Sequence, residues 1–133
     1  MNCPVAYRNF VVATLMLDLA IQQFNEQEFY ACHDTLEALW MEAIEPDRSF
    51  YQGLLQMAVG LYHFSHENQR GAAILLGEGM GRLEAYRPDY SNVNLEPLLT
   101  AGQRWLEWIQ TEAEQSTDRQ PFPWPQIQYC EVS

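Results

Sequence analysis

The chain has 133 residues at 15.5 kDa, and 7 basic against 18 acidic side chains give a formal net charge of −11, a size suited to one compact domain. With 47% apolar and 19% charged residues it has the material for a core, and it lacks the composition of a disordered, collagenous or disulfide-stapled chain. No lysine occurs, and a surface this acidic repels phosphate backbones, so the expectation is no nucleic acid and no membrane as partner.

In chain order the punctuation is helical. A first helix is expected from Val5 to Phe24; its most apolar stretch, Phe10 to Leu17, is short against the roughly 20 residues that span a bilayer. A second runs from Glu28 to Ala43, with Phe29, Cys32, Leu36, Leu39 and Ala43 recurring at three- and four-residue steps. After the turn Glu45-Pro46-Asp47-Arg48, Ser49 and Gln52 form a capping-box signature for a third helix reaching Glu67. Asn68 caps a fourth through Ala85, unusual for Gly71, Gly77, Gly79 and Gly81, which imply close backbone approach or an irregular end. Asn94 caps a fifth, with Leu98, Leu99, Gly102, Trp105, Leu106 and Ile109 inward. No fixed period recurs. The prolines 121, 123 and 125 alternate with Phe122 and Trp124, so the tail is extended and packs on its own bundle, or else serves as an arm for a homodimer or protein partner.

The fold class is therefore all-α, a single-domain bundle of about five helices over 1–115 with an extended proline-rich tail over 116–133. Cys3, Cys32 and Cys130 are an odd number without C-x-x-C spacing, which points to neither disulfides nor a thiolate zinc site and to a reducing, cytoplasmic setting.

The short turn makes helices two and three antiparallel, with facing positions adding to about 93. That sets Glu37 beside Gln56, Trp40 beside Gln52 and Gly53, and His33 beside Gly60 and, a turn on, His63. Gly53 and Gly60 then make room for the Trp40 indole and the His33 imidazole. Such a polar seam reads as a buried hydrogen-bond network, as a transition-metal site for zinc or iron with His33, Glu37 and His63 as ligands, or as a small-ligand site. The function follows as an interaction or structural module, with a hydrolytic or oxidative metal-dependent enzyme as the alternative. The rise of about 1.5 Å per residue puts Gln52 and His63 roughly 16 Å apart, so the whole stripe cannot converge on one ion. Cys32 reads as inert core, and Glu78 with Arg82 as an i, i+4 pair.

The string Phe24-Asn25 through His33-Asp34-x-x-Glu37-x-x-Trp40, then Phe50-x-Gln52-Gly53-Leu54-Leu55-Gln56-x-Ala58, His63, Asn68 and Gly71-Ala72, resembles the small all-helical family known as domain of unknown function 309. The likeness covers about 24–83. It implies an all-α fold, no established activity, and the same residues His33, Glu37, Trp40, Gln52, Gly53, Gln56 and His63. Two positions depart: Asp34 stands where the family usually has glutamate, and Glu67 precedes Asn68 where glycine is common.

Overall fold

The computed structural model describes residues 5–111 and 120–131. Five helices follow in order: α1 (Val5–Asn25), α2 (Phe29–Glu42), α3 (Asp47–Ser65), α4 (Gln69–Leu83) and α5 (Leu95–Thr111), with a 3-10 turn at Glu84–Tyr86. Each helix packs on the one before it, and α3 against α4 is the most intimate pair. The all-α expectation holds, with one small addition.

That addition is a three-stranded antiparallel patch of β1 (Asp89–Tyr90), β2 (Val93–Asn94) and β3 (Gln128–Tyr129), in which Val93 sits opposite both Tyr90 and Tyr129. Ser91 and Asn92 have φ of 49° and 65°, the left-handed pair that a two-residue hairpin needs to match strand twist. β3 is part of the tail. Cys130 N–H donates to Asn92 O at 2.8 Å, and the Asn25 side chain brackets Ile127 by accepting from its N–H at 2.7 Å and donating to its carbonyl at 2.9 Å. Trp124 stacks on Trp105 at 4.8 Å and meets Phe29 and Phe64, while Trp105 Nε1 donates to Pro123 O. Tail residues 120–131 thus lie on their own bundle; 116–119 lie outside the described residues, as does Cys3.

The helix starts divide between expectation and correction. Asn68 Oδ1 accepts from Gly71 N–H at 3.0 Å and Asn94 Oδ1 from Glu96 N–H at 3.2 Å, as capping residues should. Ser49 does not cap α3. The helix starts two residues earlier, and Glu45 reaches into its first turn, accepting from Ser49 N–H at 2.7 Å and from the Ser49 hydroxyl. A carboxylate there satisfies free amides and complements the helix dipole.

A duplication emerges that the sequence reading did not find. The turn after α1 and the turn after α3 are one motif built forty residues apart: Gln27 and Glu67 both have φ of 62°, and each closes on the helix before it. Gln27 N–H donates to Phe24 O and Glu28 N–H to Gln23 O; Glu67 N–H donates to Phe64 O and Asn68 N–H to His63 O. This is the Schellman arrangement, with a left-handed residue after the helix. The same offset relates Ala20 to Gly60, Ile21 to Leu61, Phe24 to Phe64, Cys32 to Ala72 and Leu36 to Leu76, all buried. The α1–α2 and α3–α4 hairpins are two copies of one packing unit. Ile21 and Leu61, Phe24 and Phe64, and Leu36 and Leu76 match in size as well as placement, while Gly60 and Ala72 are smaller than Ala20 and Cys32.

Among the described residues one helix, α1, is long and apolar enough to cross a membrane by length and composition. The expectation of too short a stretch stopped at Asp18, but the helix continues past it. Its C-terminal half is bundle core, since Leu17, Ala20, Ile21 and Phe24 are buried.

Candidate functional site

On α2, His33, Glu37 and Trp40 follow at i, i+4 and i+7 and share one face, as spacing requires. Glu37 is exposed, His33 half-buried, and Trp40 half-buried against the core. His33 keeps 27% of its side-chain exposure and Glu37 48%, with His33 Nε2 3.1 Å from Glu37 Oε2 and Nδ1 3.3 Å from Asp34 Oδ1. Each ring nitrogen thus lies within hydrogen-bond reach of a carboxylate. At this exposure the pair is worth a few tenths of a kcal/mol. Tyr30 lies 5.8 Å from the His33 ring and 5.6 Å from Tyr62, forming an aromatic bridge from α2 to α3.

Gln56 is the buried polar residue of the stripe, and it faces the other way. Its Nε2 donates to Glu78 Oε2 at 3.1 Å and its Oε1 accepts from Arg82 Nε at 3.0 Å. The expected Glu37–Gln56 rung is therefore replaced by an α3–α4 clamp in which one amide sits between Glu78 and Arg82. An amide offers a donor and an acceptor in one plane, so it serves both charges at once.

The glycines are corrected in the same sense. A Cβ on Gly53 would lie 2.8 Å from Leu83 and 3.2 Å from Gly79 O; one on Gly60 would lie 3.0 Å from Leu76 N and 3.2 Å from Ala72 O. Both open space toward α4, not toward Trp40 or His33. Gly79 completes the contact, since a Cβ there would meet Gly53 O at 2.7 Å. Close backbone approach between α3 and α4 is what these residues achieve. Gly81, by contrast, meets nothing within 4 Å.

The remaining residues do not assemble into one centre. Trp40 carries the Arg48 guanidinium 4.1 Å from its ring centre, a cation–π contact across the α2–α3 turn, and Gln52 is half-buried. His63 Nδ1 faces Asn68 Nδ2 at 3.3 Å. Among the described residues no three of His, Cys, Asp and Glu are grouped as a metal ion would require. His33 and Glu37 come together; His63 as the third donor of the expected zinc or iron set does not join them. Cys32 is inert as expected: its thiol donates to Ala20 O at 3.3 Å, and burial pushes its pKa up to about 12.

The larger surface feature lies elsewhere and was missed. Tyr7, Phe10, Val12 and Leu15 on α1 are 54–68% exposed, and Leu19 46%. A groove of about 900 Å³ opens between this half-helix and the end of α2, walled by Phe10, Ala13, Leu17, Leu39, Ile44 and Tyr51. Val5, Arg8, Val12, Leu15, Leu19 and Gln22 recur at alternating steps of three and four along the outer face, the spacing of a helix–helix seam. That spacing was available in the sequence. Spacing alone does not say which of two apolar faces the bundle covers, and the structure covers the one through Leu17, Ala20, Ile21 and Phe24.

Among curated proteins the chain is similar to Uncharacterized protein YpuF of Bacillus subtilis (strain 168), 28% identical over 100 residues, which is 74% of this chain and 55% of that protein. The chain thus spans about half the length of this relative. The family resembled by the motif from Phe24 to Ala72 is the one whose model matches: residues 17–75 match DUF309, Domain of unknown function.

Proposed function

We propose that this chain is an interaction module that engages its partner through the outer face of α1, in a reducing cytoplasmic setting. The observation that carries the reading is a helix apolar on two opposite faces, of which its own bundle covers one. A helix apolar all round belongs between two packing surfaces, and exposed apolar patches of this size mark interaction sites. Cys32 and Cys130 are free thiols, which suits a reducing compartment. The polar groups of α2 and α3 serve this reading as framework: Gln56 ties α3 to α4, and Tyr30, Trp40 and Arg48 tie α2 to α3.

The test replaces Val12 and Leu15 together by glutamate and measures thermal unfolding at a dilution where parent and variant are both monomeric, so that loss of a partner does not itself lower the melt. A face that serves a partner is dispensable for the fold, so the double variant should melt within about 2 °C of the parent. A fall of about 10 °C or more would make these residues part of the core and end the reading.

A further inference from the structure

We infer that the occupant of the α1 seam is the α1 seam of a second copy of this chain, laid antiparallel across a two-fold axis; this rests on the reading of that face as an interaction surface. Three observations converge on it. The first is the duplication. Carried forty residues along, Arg8, Val12, Leu15, Leu19 and Gln22 become Arg48, Gln52, Leu55, Val59 and Tyr62 of α3. In α3 this line lies against a helix, for Arg48 stacks on Trp40 and Tyr62 meets Tyr30, both on α2. Among the described residues the corresponding line on α1 has no such cover, and Val12, Leu15 and Leu19 on it are exposed.

The second is charge. Arg8 and Asp18 are the only charged residues of α1, they are of opposite sign, and they lie equally far on either side of Ala13. An antiparallel partner crossing there brings each Arg8 to the other copy's Asp18, twice over, whereas a parallel partner would set Arg8 against Arg8. The third is the seam itself. A crossing half a residue past Ala13 layers Val12 with Leu15 and Arg8 with Leu19, the neighbour of Asp18, so one apolar stripe meets its own complement, as a two-fold contact demands. It also sends the two acidic bundles, which sit on the C-terminal halves of the helices, to opposite ends of the pair. A lipid surface is less well matched, because interfacial helices carry a face rich in Lys and Arg, and α1 offers Arg8 alone.

Sedimentation equilibrium of the full chain at about 10–100 µM should give twice the 15.5 kDa monomer mass. R8D and D18R each set like charges together at both ends and should weaken the dimer about tenfold or more. Mixed one to one, the two variants restore both opposite-sign pairs, and a heterodimer of parental affinity should form. Asp18 also accepts from the Tyr129 hydroxyl, so recovery on mixing, read beside the melting curve of each variant, separates the interface effect from loosening of the tail. A parent that stays monomeric at 100 µM, or a mixture with no recovery, overturns the second copy as occupant. Binding of the monomer to phosphatidylcholine–phosphatidylglycerol vesicles instead would hand the seam to lipid. In either case an unchanged melt of the Val12 and Leu15 double variant leaves the interaction reading standing, while a collapsed melt removes both.

Discussion

Glu67 and Gln27 hold a backbone conformation that costs a side-chain-bearing residue roughly 1–2 kcal/mol and costs glycine almost nothing. The position where glycine is common in the resembled family is therefore the left-handed residue of a Schellman turn, and Glu67 occupies it at an energetic disadvantage. Gln27→Gly should raise the unfolding free energy by about 1 kcal/mol. Gly79→Ala should lower it by about 2 kcal/mol or more, since the added methyl would sit 2.7 Å from Gly53 O and 2.9 Å from Met57 N. Urea titrations check both, and a Gly79→Ala variant as stable as the parent would refute the close α3–α4 contact. Glycine at 79 was legible in the sequence as an anomaly. Which neighbour it admits was not, because a sequence shows the missing side chain and not the backbone that fills its place.

The tail is held by a few specific contacts at the level of elements. Trp124 packs among Phe29, Phe64 and Trp105, and Asn25 copies a strand's hydrogen-bonding edge for Ile127. Trp124→Ala should cost about 3 kcal/mol, at the low end for losing a large aromatic side chain because Trp124 is half-buried. Asn25→Ala strands the Ile127 N–H and carbonyl and should cost about 1–3 kcal/mol. Urea titrations check both, and unchanged midpoints would count against a docked tail. The alternation of proline with aromatics announced an extended, packing segment. The small sheet it joins was not announced, since two-residue strands have no period and Tyr90-Ser91-Asn92-Val93 lacks the glycine of the commonest hairpin turns.

For the whole molecule, pH acts through groups held protonated. Burial raises Cys32 from 9.0 to about 12, and burial followed by the hydrogen bond to Asp18 raises Tyr129 from 10.0 to about 12. A folded pKa above the unfolded one gives stability that is whole below the unfolded value and is lost as pH rises through the folded one. The urea midpoint should therefore hold steady from pH 7 to about 9 as far as these groups go, then fall progressively toward pH 12. Cys32→Ala should remove the part of that fall that begins near pH 9, and an unaltered slope would place the thiol outside the core.

Helix existence and order, and the inward faces of α2 and α5, were decided by the sequence alone, because apolar residues at steps of three and four, with Asn68 and Asn94 as caps, are local signals that survive without knowledge of neighbours. The antiparallel pairing of α2 and α3 followed from a short turn for the same reason. What only the tertiary structure decided is the direction in which Gln56, Gly53 and Gly60 act. Every face of α3 touches something, and a helix with neighbours on both sides does not record which neighbour its polar and small residues serve. The exposed seam of α1 belongs to the same class: its spacing was written in the chain, but whether a face lies open depends on what packs over it, and that is a property of the whole molecule.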